Sequence, residues 1–371
     1  MTVRQRVIVL YGGQSTEHEI SCRSAAFVLR GLDRSRYEVL PVGIDRRGVW
    51  HPGATDPDPG SLPDIIPVPA GEPPAGAVAV LQRLFPVIAG SPASGDDEPP
   101  PVVFPVLHGS GGEDGRLQGL LELAGIPCVG ADCLASALCM DKEVTKVLVQ
   151  AAGVPVVPWV TLRSGPWQTD RDGAIARVED TLPGPVFVKP ATLGSSVGIT
   201  RARDRAGLIA AVDEAFRFDE KVLVEEAMDI REIEYAALGG YEPELTGAGE
   251  CHPKKGFYTY EAKYLDEGAA DVIIPADLTP EKNEEGRQLC GRIYRALQLH
   301  GMARIDLFLT RDDEKFYMNE VNTIPGFTSI SQYPMLWQEA GLDGPRLLDR
   351  LIDTALGRSR DRAGLVRVYD G

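Results

Sequence analysis

Two apolar segments, "MARIDLFLT" (302–310) and "KFYMNEVN" (315–322), are separated only by the turn-forming "RDDE" (311–314). That spacing predicts an antiparallel hairpin. Asp306 interrupts the first segment, and Glu320 and Asn322 close the second. Residues i and i+2 of a strand face the same way, so the three side chains can share one patch. A buried charge without a partner is costly, so any fold built on this hairpin must bring a cation to it. An arginine or lysine of the chain is one answer, and the ordinary one for Asp306 alone; Arg304, on the same strand face, is the nearest candidate. Hard oxygen donors from two adjacent strands favour a second answer, a magnesium ion that also holds nucleotide phosphates.

The chain begins as an open α/β domain does: an apolar run with a glycine stop, "RVIVLYGG" (6–13), a helix from Thr16, then a second strand, "YEVLPVGID". Thr16 and Glu19 have the spacing of a capping box. Residues 51–101 are rich in Pro, Gly and Ala, and "ASGDDEPPP" (93–101) reads as an exposed loop or linker. A helix within 136–153 stops at Gly153 near the start of a second domain; further helices are expected over 206–216, 281–298 and 345–356, and a charged tail from Gly357 is expected to fray.

At 371 residues there is room for two or three domains. A net charge of −16 excludes the concentrated basic surface that nucleic acid or an anionic membrane requires, so any phosphate is bound locally. The six cysteines form no CxxC pair, which favours reduced thiols over a disulfide framework or a zinc site. With no apolar leader at the N-terminus, the expectation is a cytoplasmic protein.

In "VFVKPATLGSSVGI" (186–199), Lys189 ends an apolar strand, and Gly194, Ser195, Ser196 and Gly198 form a loop whose amides and hydroxyls could close over phosphates. The lysine precedes the glycines, which rules out a Walker A loop. On its own such a loop is more often a surface turn. The strand "KVLVEEA" (221–227) leaves carboxylates at its end, where an adenine amino group or ribose hydroxyls could donate.

Seven segments occur in the order of a D-alanine–D-alanine ligase of the ATP-grasp superfamily: "YGGQSTEHEISCRSA", "HGSGGEDGRLQGLLELAGIPCVG", "ASALCMDKEVTK", "VKPATLGSSVGI", "YEAKY", "ARIDLFL" and "NEVNTIPGFTSIS". The chain resembles that family from about residue 6 to 356. The resemblance implies a three-domain α/β and α+β fold: an N-terminal open α/β, Rossmann-like domain (1–130), a central ATP-grasp lobe (131–226) and a C-terminal lobe carrying the magnesium site (227–371). It implies a homodimer that joins two D-alanines for peptidoglycan synthesis, using ATP and two magnesium ions with manganese as the alternative.

By position, Lys142, Lys189 and Lys263 would hold the ATP phosphates under the loop bearing Ser196, and Glu225 and Glu232 would face adenine and ribose. Asp306, Glu320 and Asn322 match the family's magnesium ligands. Arg304 and the Gly326 N–H would stabilise the tetrahedral oxyanion. Glu17 would anchor the first D-alanine's ammonium in a network with Ser195 and Tyr264; its plainer role is an acid favoured at a helix N-terminus. Ser331 and Gln332 would receive the second substrate's carboxylate near His108. The chain departs from the family at Gly111 and Gln332, which leaves the second-substrate site the least defined. The alternatives of the same superfamily are a D-alanyl-D-lactate ligase, disfavoured by the tyrosine of "YEAKY", and an ATP-grasp carboxylate–amine ligase for another amino acid or peptide, which Gly111 and Gln332 keep open. A nucleotide-binding regulator without catalysis is the alternative outside it, disfavoured because a binder needs no oxyanion donor.

Overall fold

A computed structural model describes residues 3–68, 100–194, 197–253 and 270–366. Most of the Pro/Gly-rich stretch lies outside these residues, as do Ser195, Ser196, Lys263 and Tyr264. Three sheets organise what is described.

The first sheet has the order β3–β2–β1–β4, with β1 (Gln5–Gly12), β2 (Tyr37–Ile44), β3 (Trp50–Pro52) and β4 (Val102–Pro105). β1 runs parallel to both β2 and β4, as the expected open α/β domain requires, and β3 is an antiparallel edge. At the end of β1 the chain turns through Gly12 at φ +88°, where a Cβ would lie 2.3 Å from the Ile44 carbonyl oxygen; only glycine fits. Helix α1 (His18–Gly31) follows. The expected Thr16–Glu19 capping box does not form: Glu17 is the N-cap residue and makes no side-chain cap, while Glu19 is drawn outward to Arg46. Ser15 takes over the entry, its hydroxyl accepting the Glu17 N–H at 3.0 Å.

Helix α2 (Arg116–Leu123) is followed by two helices where the sequence suggested one, α3 (Cys133–Met140) and α4 (Lys142–Ala151). Asp141 breaks the run with an extended backbone (φ −89°, ψ 102°) and caps α4 through the Val144 N–H at 3.1 Å. The second sheet, order β5–β8–β6–β7, comprises β5 (Trp159–Arg163), β6 (Val186–Pro190), β7 (Thr200–Ala202) and β8 (Lys221–Glu226). It packs against α6 (Arg171–Thr181) and α7 (Arg205–Ala215), with the short α5 (Ser164–Thr169) at its edge.

The third sheet has the order β12–β11–β9–β13–β14, with β10 (Pro243–Leu245) hydrogen-bonded to β9 (Ile230–Gly239). It contains β11 (Gly249–Pro253), β12 (Ala270–Ile273) and the predicted hairpin, β13 (Gly301–Thr310) with β14 (Phe316–Asn322). Helix α8 (Pro280–Ala296), α3 and α4 close one side of its core. The chain ends in α9 (Gln332–Glu339) and α10 (Gly344–Ala363). The expected frayed tail is helical through residue 363, because Arg358 and Arg362 pair with Asp132 and Glu122.

Helices α9 and α10 pack back onto the first sheet and α1, in one core with Phe104, Ile324 and Phe327. Phe327 is fully buried, its ring 5.9 Å from Phe27, 6.0 Å from Phe104 and 5.7 Å from Tyr333. It pins the loop after β14 to the N-terminal sheet. Phe327→Ala is expected to cost about 3–5 kcal/mol, read as a lower denaturation midpoint at unchanged slope; an unchanged midpoint would show that the loop is held by other means.

Candidate active site

The three sheets enclose a cleft of about 1140 Å³, large for a small-molecule site. Its lining includes Glu17, His108, Lys142, Lys189, Glu225, Glu232, Arg304, Asp306, Glu320, Asn322, Gly326, Ser331 and Gln332. Residues more than 300 positions apart thus reach one cavity, and every expected site residue within the described part of the chain is among them.

One end is acidic. In the third sheet's register Glu234 of β9 lies opposite Asp306 of β13, which lies opposite Glu320 of β14. Like charges directly opposite repel, so the row needs cations. Arg304 supplies one: its Nε and Nη2 hold the two Asp306 oxygens at 2.8 Å each, and Glu234 Oε2 lies 3.0 Å from Nε. Burial alone would lower the arginine's pKa, but Asp306 and Glu234 outweigh it and hold the guanidinium protonated. Its Nη1 has no acceptor among the described residues. A bulge between Asp306 and Leu307 shifts the β14 register, and Glu320 and Asn322 both remain on the cleft side.

Asn322 donates from Nδ2 to Asp306 at 3.0 Å, which leaves its amide oxygen for another partner. The donor set therefore suits a hard cation: two carboxylates opposite one another, an amide oxygen beside them, and one arginine facing three acids. Among the described residues no three His, Cys, Asp or Glu side chains converge on a single point. A cation held here would complete its shell from Asn322, water or phosphate oxygens, as magnesium does.

The other end is basic. Lys189 Nζ lies 2.5 Å from Glu225 Oε2, and Lys146 Nζ lies 3.0 Å from Oε1. All three side chains are buried. Burial pushes the Glu225 carboxyl up, but the two ammonium groups outweigh it and keep it ionised; burial likewise pushes Lys146 down. Both Glu225 oxygens thus carry lysines, so any contact with adenine or ribose is additional to that task. Lys142 opens α4 and donates to the Leu193 carbonyl at 2.5 Å, beside the 190s loop. Phe187, Ile199, Met228 and Phe308 give this end its apolar walls.

Glu17 is buried and lines the cleft. Its carboxylate does not cap α1; it reaches the turn at Gly109 (φ +76°), where a Cβ would lie 2.9 Å from Oε2. Ser331 Oγ accepts the Thr328 N–H at 3.0 Å and shares a 2.7 Å bond with the Thr328 hydroxyl. The Gln332 side chain has no partner among the described residues, and its Oε1 is buried. Both ring nitrogens of His108 are engaged within the protein, by Ser24 and Ile324, so the histidine supports the cleft wall instead of offering a free donor.

Sequence reasoning missed Lys146, Glu234 and Glu113. Lys146 lies one helical turn after Lys142, and Glu234 two positions after Glu232 on a strand, so periodicity could have flagged both. Glu113 accepts the N–H of Gly109 at 2.7 Å and of Ile324 at 3.2 Å. Burial, then the charge of Glu17, pushes its pKa up to about 8 against the pull of those two bonds.

Residues 6–131 match the family described as the D-ala D-ala ligase N-terminus, and residues 148–353 match the D-ala D-ala ligase C-terminus. The chain belongs to the D-alanine–D-alanine ligase family. It is 44% identical over 368 residues to the D-alanine–D-alanine ligase of Caldicellulosiruptor bescii, covering 99% of each chain. Among solved structures, the D-alanine-D-alanine ligase from Coxiella burnetii superposes with a TM-score of 0.78 at 35% identity, covering 98% of this chain and 97% of that one. The VanG D-Ala:D-Ser ligase from Enterococcus faecalis superposes with a TM-score of 0.76 at 34% identity, covering 95% and 99%. The mixed α/β architecture of the ligase family, with its N-terminal open sheet, is the one observed here.

The ligase-family cleft is held at its basic end by a buried charge group. Lys146→Met is expected to destabilise the fold by about 3–5 kcal/mol, because it strips one partner from a buried ion pair. Pairing it with Glu225→Gln in a double-mutant cycle should recover part of that loss. Strict additivity of the two changes would show that the groups are not coupled.

Proposed function

We propose that this chain joins two D-alanines into D-alanyl-D-alanine, a peptidoglycan precursor, converting ATP to ADP and phosphate through an acylphosphate. The observation that carries this reading is a cleft holding lysines at one end and an acid row at the other, with Arg304 and Gly326 both in its lining. A carboxylate is a poor electrophile, so its oxygen first takes the γ-phosphoryl group and ADP leaves. The amine of the second D-alanine then attacks the carbonyl carbon, phosphate departs, and the amine loses a proton.

Lys142 and Lys189, with Lys263 and the Ser195–Ser196 loop beyond the described residues, hold the triphosphate in this reading, and Glu232 faces the ribose. Asp306, Glu320 and Asn322 hold divalent cations. Bound there, magnesium or manganese would neutralise phosphate oxygens during transfer. Glu17 anchors the first D-alanine's ammonium, together with Ser195 and Tyr264. Arg304 Nη1 and the Gly326 N–H donate to the oxygen that gains charge as the tetrahedral centre forms, where fixed donors act most strongly. Ser331 and Gln332 receive the second substrate.

We also propose that the chain has three domains, divided near residues 131 and 227, and works as a cytoplasmic homodimer. The exposed Leu120 and Leu123 of α2, beside Leu134 of α3, support the dimer, and six free cysteines support a reducing compartment. No helix among the described residues is long and apolar enough to cross a membrane.

One observation favours a second reading. The unpartnered Gln332 amide beside Ser331 could accept a hydroxyl proton, which suits D-serine as the second substrate. Product analysis with D-alanine, D-serine and D-lactate in competition decides. Predominant D-alanyl-D-alanine is expected; predominant D-alanyl-D-serine or depsipeptide would replace the reading, and no D-alanine-dependent ADP release would remove ligase activity altogether. Arg304→Lys keeps the charge but cannot hold Asp306 and donate into the cleft at once. Turnover should fall by roughly a hundredfold or more while ATP affinity changes little; matched losses in both would assign Arg304 a purely structural role.

A further inference from the structure

The segment Ile324–Phe327, whose Gly326 lines the cleft, is held on both sides by the N-terminal part of the chain. Glu113 accepts the Ile324 N–H at 3.2 Å. His108 Nδ1 lies 2.9 Å from the Ile324 carbonyl oxygen, and its Nε2 lies 3.0 Å from Ser24 Oγ. Ser24 Oγ in turn accepts the Phe327 N–H at 3.3 Å.

With His108 neutral, one arrangement of protons satisfies this chain. A carbonyl oxygen can only accept, so His108 carries its proton on Nδ1 and accepts at Nε2 from the Ser24 hydroxyl, whose oxygen is then left to accept from Phe327. Burial favours that neutral imidazole by lowering the pKa of His108. Ser24 and His108 are buried, so solvent does not compete for these bonds. Between the clamped peptides, Pro325 has no N–H, and the Gly326 N–H meets no acceptor among the described residues. The clamp satisfies every neighbouring amide and leaves one donor free.

We propose that Glu113, His108 and Ser24 are positioning residues that aim the Gly326 N–H at the oxygen of the tetrahedral centre, so that the N-terminal domain sets half of the oxyanion site. The proposal deepens the ligase reading above and rests on it. None of the three need touch substrate to act. Their effect belongs to the transition state, because the N–H is worth most where charge develops and loses its value quickly when displaced.

Two variants test this in the full chain. Glu113→Gln keeps one acceptor but turns an NH2 group toward the other backbone N–H, and Ser24→Ala removes a single hydroxyl with little change in packing. For each, kcat should fall by roughly tenfold to a hundredfold, with the KM for ATP within about twofold of wild type. Affinity for a phosphinate analogue of the tetrahedral intermediate should fall in proportion to kcat, as expected when a transition-state contact is lost. Ser24→Thr, which retains a hydroxyl, should recover part of the Ser24→Ala loss. Unchanged kcat in both variants overturns the clamp, as does a fall in kcat with no change in analogue affinity. If Glu113→Gln unfolds, the Ser24 pair alone decides by the same criteria. A wild-type chain that releases no ADP with D-alanine would instead sink the ligase reading, an outcome distinct from active variants that leave the clamp without effect.

Discussion

Three carboxylates stand in register across three adjacent strands, with one arginine between two of them. Glu234, Asp306 and Glu320 cannot be buried together on hydrophobic grounds, and Arg304 offsets only part of their charge. The apolar alternation of β9, β13 and β14 fixes the register, since a slip by one residue would turn the acids into the core. The sheet therefore commits itself to an electrostatic problem, to which Arg304 brings one positive charge. Excess negative charge on this face is a cost to folding that any further cation in the cleft would reduce, and this is what makes the face a candidate site.

The second constraint is where the chain returns. After β14 the backbone leaves the third sheet, and Phe327 buries itself among rings from α1, β4 and α9. The last two helices complete the hydrophobic core of the first sheet. The loop that follows the acid row is consequently part of two structural units at once. A loop anchored at one end only would let Gly326 and Ser331 wander; here both flanks are fixed by packing and by the hydrogen bonds of Ile324 and Phe327.

Much of this was legible in the sequence because its signals were local. The hairpin followed from two apolar runs and a charged turn, and the convergence of Asp306, Glu320 and Asn322 followed from strand alternation. What escaped was non-local or competitive. Asp141 was counted inside a helix, although an aspartate followed by helix-forming residues is also a cap, and here the cap prevailed. The C-terminal tail was expected to fray because its charges looked solvated; their partners, Asp132 and Glu122, lie more than 200 residues away. Glu225's place at a strand end and the family resemblance both point to a nucleotide; that its oxygens also hold two lysines is visible only in the fold. Glu113 and Ser24 carry no motif of their own, and their role exists only in the company of Ile324 and Phe327.

The distribution of charge in the cleft bears on what can occupy it. At one end Lys142, Lys146 and Lys189 gather about the carboxylate of Glu225; at the other, Glu234, Asp306 and Glu320 outnumber the guanidinium of Arg304. A free polyphosphate is drawn to the first end and repelled by the second, while a free divalent cation meets the reverse. A polyphosphate carrying its own divalent cations is complementary to both ends together, its oxygens toward the lysines and its cations toward the acids. Each half of such a complex improves the fit of the other. In the proposed reaction the amino acid would lie where the opposing fields meet, with its ammonium toward Glu17 and its carboxylate toward the transferring phosphoryl group. An occupant that resolves the acid row's excess charge would therefore also orient an amino acid bound beside it for the proposed reaction.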